Sequence, residues 1–201
     1  CGVEYFEISH LFTQWGAKAA PKVMATVDGE YKRLFGWETP ALDPAFTAFL
    51  RKLIVELYAF CAENGYDKKQ LYFHISDEPS AKREGDYENY LAAKNFITPY
   101  LKGFKIMDAL SNVEFYRNGL IDVPVCCTDH QEPFLAEDIG ERWCYYCCSQ
   151  CIDVSNRFFA MPSARTRSIG TQMFKHKIGG FLQWGYNFYY AGLSRYKIDP
   201  W

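Results

Sequence analysis

Asp77 and Glu78 are adjacent carboxylates, closed by Pro79, at the end of the run Leu71-Tyr72-Phe73-His74-Ile75-Ser76. Two carboxylates side by side repel. In a dry site one of them holds its proton above the usual carboxyl range while the other stays charged. An acid beside a base is the division of labour that acetal hydrolysis requires. The ordinary alternative is a solvated turn behind a strand, which Asp-Glu-Pro also suits.

The run that delivers the pair alternates Leu71, Phe73 and Ile75 with Tyr72, His74 and Ser76, a period of two that predicts a strand. Pro79 has no N–H for a ladder, so pairing is expected to stop there. Similar strands are expected near residues 3–9, 104–110, 123–128, 143–149 and 180–187. Between them lie helical patterns. Asp43-Pro44 opens one, with a capping Asp and a first-turn Pro, and Phe46, Phe49, Leu50, Leu53, Ile54, Leu57 and Cys61 follow at helical spacing up to Gly65. Others begin at Asp86, Val113, Pro133 and Ala164. Leu11–Thr39 reads as one long loop, and loops of that length in a compact domain are usually functional.

Strand alternating with helix is the pattern of parallel βα units, an α/β fold. A closed (β/α)8 TIM-type barrel needs eight strands in about 250 residues. Six strands in 201 residues predict the last six units, strands 3 to 8. Residues 1–201 are then one partial catalytic barrel domain, and the upstream strands and any N-terminal β domain lie outside it. An open doubly wound sheet is the other arrangement, but no Gly-rich phosphate loop follows any strand.

Every strand ends in polar or aromatic groups. These are His10, Asp77-Glu78, Asp108 with Ser111, Asp129-His130, Gln150, and Trp184, Tyr186 and Asn187. Barrel enzymes build their sites from the loops at that end of the sheet.

Composition narrows the classes. Aromatic residues make up 18% of the chain, a surplus that suits stacking on sugars or bases as well as a core. A formal net charge of −2 with no basic block favours no nucleic-acid partner. No apolar run is long enough for a membrane span. Cys144, Cys147, Cys148 and Cys151 have zinc-like spacing, but in a strand Cys144 and Cys148 face opposite to Cys147 and Cys151. The expectation is buried free thiols, no metal and no cofactor. Adjacent free cysteines tilt the compartment towards the cytoplasm, although a longer protein could still be secreted.

The segments YFEISHLFTQWG, LFGWET (34–39), YFHISDEP (72–79), NRFFAMPSARTRSIG (156–170) and GGFLQWGYNFYY (179–190) resemble the catalytic region of glycoside hydrolase family 123 and its bacterial relatives. The resemblance covers nearly the whole chain in order, and HISDEP and FLxWGYN are its specific parts. It implies a (β/α)8 barrel with the acidic pair after the fourth strand. It also implies a retaining β-N-acetylhexosaminidase of the β-N-acetylgalactosaminidase type, working by substrate-assisted catalysis through the 2-acetamido group. Glu78 matches the general acid/base and Asp77 the residue that orients the acetamido group. The implied partner is a carbohydrate bearing a terminal N-acetylhexosamine. Trp184 and Tyr146 are candidates for the sugar floor or acetamido pocket. His10, Asp129, His130, Tyr186 and Asn187 are candidates for the remaining substrate contacts. A barrel that binds glycan without cleaving it is the alternative reading.

Overall fold

The structure, a computed structural model, describes residues 2–184, 190–191 and 196–197. Its elements run β1 (Phe6–Ile8), β2 (Val23–Val27), β3 (Glu30–Phe35), α1 (Pro44–Glu63), β4 (Leu71–Phe73), α2 (Asp86–Ile97), β5 (Lys105–Leu110), α3 (Glu114–Arg117), β6 (Val123–Cys127), α4 (Glu132–Leu135), β7 (Trp143–Tyr145), α5 (Ser163–Lys175) and β8 (Gly180–Phe181). A two-residue pair, β9 (Tyr190–Ala191) and β10 (Tyr196–Lys197), follows.

The main sheet has the order β1-β4-β5-β6-β7-β8, and every pairing in it is parallel. It curls into a six-strand half-barrel. The six expected strands are all present, each next to its neighbour in the chain of βα units.

A parallel sheet is buried on both faces, and its side chains sort by alternation. Leu71, Phe73, Ile106, Leu110, Cys126 and Cys144 share one core with Phe46, Leu50 and Ile54 of α1 and Tyr90, Ala93 and Ile97 of α2. Tyr72, Met107, Ala109, Val123, Val125, Cys127 and Tyr145 form the second cluster on the opposite, concave face. Asp43 caps α1 as its sequence suggests, accepting from the N–H groups of Ala45 at 2.9 Å and Phe46 at 3.1 Å.

Two expectations need correction. Leu11–Thr39 is not all loop, because β2 and β3 form an antiparallel hairpin inside it. Its turn is Asp28-Gly29, with φ of +54° and +81°, the geometry that a two-residue hairpin needs. The strand expected at 143–149 stops at Tyr145. Beyond it the Cys147 N–H turns to the side-chain oxygen of Gln150, at 2.6 Å, instead of a neighbouring strand. The last strand is likewise short, Gly180–Phe181.

Candidate active site

The ladder between β1 and β4 ends at Phe73, but the chain stays clamped for five more residues. The N–H groups of Leu11 and Phe12 donate to the carbonyls of His74 and Ile75, both at 3.0 Å. The Trp15 N–H donates to the Asp77 carbonyl at 2.7 Å, and the Glu78 N–H donates across to Ala109 of β5 at 2.9 Å. Asp77 and Glu78 thus leave the carboxyl end of the sheet on backbone tied from both sides. Glu78 itself has φ of +46°, a left-handed conformation that a non-glycine side chain adopts at a cost of about 1–3 kcal/mol. The Arg83 guanidinium holds the Glu78 carbonyl at 2.6 Å and fixes this turn from outside.

Both carboxylates are partly exposed. Burial, then the charges of Glu78 and Asp108, pushes Asp77 up to about 7. Asp77 thus exchanges its proton near neutrality and is available as a carboxylate above that value. The Tyr145 hydroxyl, from the last residue of β7, donates to Glu78 Oε1 at 2.6 Å. Burial and the neighbouring Cys127 and Glu78 push the Tyr145 phenol far above its usual range, so it remains a donor.

Behind the pair lies a buried ionic network. His74 is 1% exposed, with Nδ1 3.1 Å from Asp108 Oδ1 and Nε2 2.9 Å from Glu7 Oε1. Burial alone would discharge the ring, but the two carboxylates outweigh it and push its pKa up to about 9. At neutral pH His74 is an imidazolium. Asp108 is fully buried and also accepts from the Tyr90 hydroxyl at 2.5 Å and the Ile75 N–H at 3.2 Å. Burial and the His74 charge hold His10 below its usual value, and its ring meets that of His74 edge-on at 5.2 Å. His10 Nε2 lies 4.0 Å from Asp77 Oδ1.

The structure brings His10, Asp77 and Glu78 together. Asp129 and His130 follow β6 and bond to each other at 2.7 Å. Although partial burial opposes it, bonds from Cys127 and His130 hold the Asp129 carboxyl low. Tyr146 packs its ring on Phe181 at 4.7 Å, and Phe181 belongs to the helix-side core. Its neighbour Tyr145, on the concave face, is the tyrosine that touches Glu78. Trp184 is 51% exposed just beyond β8. Tyr186 and Asn187 lie outside the described residues.

Sequence reasoning missed Tyr145, His74 as a network member, and Glu7. Alternation from Trp143 would have placed Tyr145 on the concave face. Among the described residues, one group could offer three ligand atoms to a metal: Cys127, Asp129 and His130, all within 4.8 Å of one another. Cys144 is buried on the helix-side core, whereas Cys148 and Cys151 are exposed in the loop after β7, so the zinc-like run does not converge.

The profile of the glycoside hydrolase 123 catalytic domain matches residues 1–201. Among solved structures, the fold is similar to a family 123 glycoside hydrolase from Clostridium perfringens, studied for glycolipid glycan hydrolysis, with a TM-score of 0.61 and 14% identity. The likeness covers 82% of this chain, which spans 29% of that one. No curated protein matches the chain.

Proposed function

The chain belongs to glycoside hydrolase family 123 by its catalytic domain, and from that premise we propose that it is a retaining β-N-acetylhexosaminidase acting by substrate assistance. The observation that carries this reading is the placement of Asp77 and Glu78 on consecutive residues of one rigid turn. Direct two-carboxylate hydrolysis puts its groups on opposite sides of the scissile bond, about 5–9 Å apart. Neighbours on one turn are poorly disposed to flank a bond. They are well disposed when one serves the leaving oxygen and the other serves a nucleophile within the substrate.

In this mechanism the 2-acetamido oxygen attacks the anomeric carbon as the glycosidic C–O bond breaks. Glu78 gives its proton to the departing oxygen. Asp77, as a carboxylate, accepts a hydrogen bond from the acetamido N–H and stabilises the oxazolinium that forms. Glu78, now charged, takes a proton from water, which attacks the same carbon and reopens the ring. Two inversions give net retention. Tyr145 keeps the Glu78 carboxyl in one orientation throughout. The domain is proposed to be a full (β/α)8 barrel, with the six units described here completed by two further strands of the protein.

The test is turnover of β-N-acetylgalactosaminides and β-N-acetylglucosaminides by the intact protein, with the first-formed anomer read by NMR. Release of the β anomer, and no turnover of a substrate lacking the 2-acetamido group, is the expected result. Release of the α anomer would sink the mechanism. Tight binding of glycan without any turnover would favour a glycan-binding barrel instead.

A further inference from the structure

We propose that Trp15 and Trp37 form a sugar-binding platform for the leaving side of the substrate, taking the pyranose ring to which the cleaved N-acetylhexosamine is linked. The inference rests on the glycosidase reading above and adds a subsite to it.

Trp15 lies on the loop after β1 and is tied to the acidic turn by its backbone N–H, which donates to the Asp77 carbonyl at 2.7 Å. The two rings meet at 6.1 Å with an interplanar angle of 80°, forming a corner. Trp37 is 36% exposed and Trp15 half-buried, so each indole keeps surface in contact with water. Two adjoining, partly exposed indoles on a loop bonded to the acidic turn give a ligand an apolar, aromatic surface close to the carboxylates. A pyranose ring offers an apolar C–H face with a partial positive edge. That face complements the electron-rich face of an indole.

The corner is built rigidly. Trp15, Gly16 and Ala17 have φ of +61°, +107° and +55°, three successive left-handed residues of which two are not glycine. Such strain persists only where the surroundings over-determine it, and it concentrates at ligand sites. Here the surroundings do so. A Cβ on Gly16 would lie 2.9 Å from the Asp86 Cα and 2.5 Å from its Cγ, so the loop sits directly on the start of α2. Asp86 is fully buried between Lys18 Nζ at 3.0 Å and Arg83 Nε at 2.9 Å. The same Arg83 holds the Glu78 carbonyl. The Trp37 side is laced to the Trp15 side by Ala20 N–H to the Thr39 carbonyl, 2.9 Å, and Ala41 N–H to the Lys18 carbonyl, 3.1 Å. The hairpin β2–β3 is thus the device that brings Trp37 against Trp15. Preorganised aromatic surface binds without an ordering cost.

The test compares wild type with Trp37→Ala, and with Trp15→Ala, in the intact protein. One substrate is an oligosaccharide with a β-linked terminal N-acetylhexosamine, and the other is the matching glycosyl fluoride, which fills only the reacting-sugar site. Loss of one stacking contact predicts a KM about tenfold higher for the oligosaccharide in Trp37→Ala. For the fluoride kcat/KM should change less than about twofold. Quenching of tryptophan fluorescence by the oligosaccharide in Glu78→Gln should fall in the double variant Glu78→Gln with Trp37→Ala, a readout independent of turnover. Equal changes on both substrates, or an unchanged KM for the oligosaccharide while wild type cleaves it, would overturn the platform and leave the glycosidase reading intact. No cleavage and no binding of any glycan by wild type would overturn both.

Discussion

The Tyr145 hydroxyl donates to Glu78 Oε1 at 2.6 Å, joining the last residue of β7 to the turn after β4 across the concave face of the sheet. A hydrogen bond of that length fixes the carboxyl as well as touching it. Tyr145→Phe should therefore lower kcat about tenfold or more while KM moves little, because the acid is no longer held in the productive orientation. Steady-state kinetics decide it. A rise in KM with kcat unchanged would make Tyr145 a substrate contact and not the residue that positions Glu78.

Glu78→Gln should abolish cleavage of glycosides with basic leaving groups and spare activated aryl glycosides far more. Proton donation matters most when the departing oxygen is a poor leaving group. Equal losses on both substrates would count against Glu78 as the acid.

Partial burial, then the charges of Glu78 and Asp108, push Asp77 up to about 7. The proposed role needs its carboxylate form. Below that value the group is protonated, so kcat/KM should rise as pH increases through about 7, and Asp77→Asn should be slow and lack this limb. The limb belongs to the free enzyme and therefore appears in kcat/KM. A wild-type profile that is flat from about pH 6 to about pH 8 would disprove the assignment.

Much of this was legible in the sequence. The period of two before Asp77, the Asp43-Pro44 start and the βα alternation each depend on local chemistry, and all six strands are present, although those expected at 71–76, 143–149 and 180–187 end early, at Phe73, Tyr145 and Phe181. The β2–β3 hairpin was legible too, in Asp28-Gly29, but its flanking strands carry exposed polar residues and give weak alternation. Tyr145 and the His74 network were not, because they depend on which strands become neighbours. Asp108 looked like a strand-end polar group and is in fact fully buried beside His74 and Tyr90.

His74 makes that network measurable. Its folded pKa of about 9 stands above the ordinary 6.5. Folding is therefore favoured by the extra proton while pH stays below the ordinary value. The contribution is lost as pH rises through about 9 and amounts to about 3 kcal/mol. Urea denaturation of wild type should show stability falling from near-neutral to alkaline pH, and His74→Gln should show a weaker starting stability with a much smaller fall. Parallel curves for the two proteins would mean that His74 is not a buried cation.

Among the described residues β1 pairs only with β4 and β8 only with β7, so both ends of the half-barrel are edges. Unpaired N–H and C=O groups there are a template for another strand. The nearby surface is apolar, with Val3, Tyr5 and Trp184 at 54%, 59% and 51% exposure. A closed eight-strand barrel would cover both edges. Residues 1–201 expressed alone should then self-associate and lose most activity, whereas a form that also carries the two proposed strands should be less prone to associate and active. Light scattering and turnover on the same samples decide it. A monomeric, fully active 1–201 would show that six strands suffice and that no further pair closes the barrel.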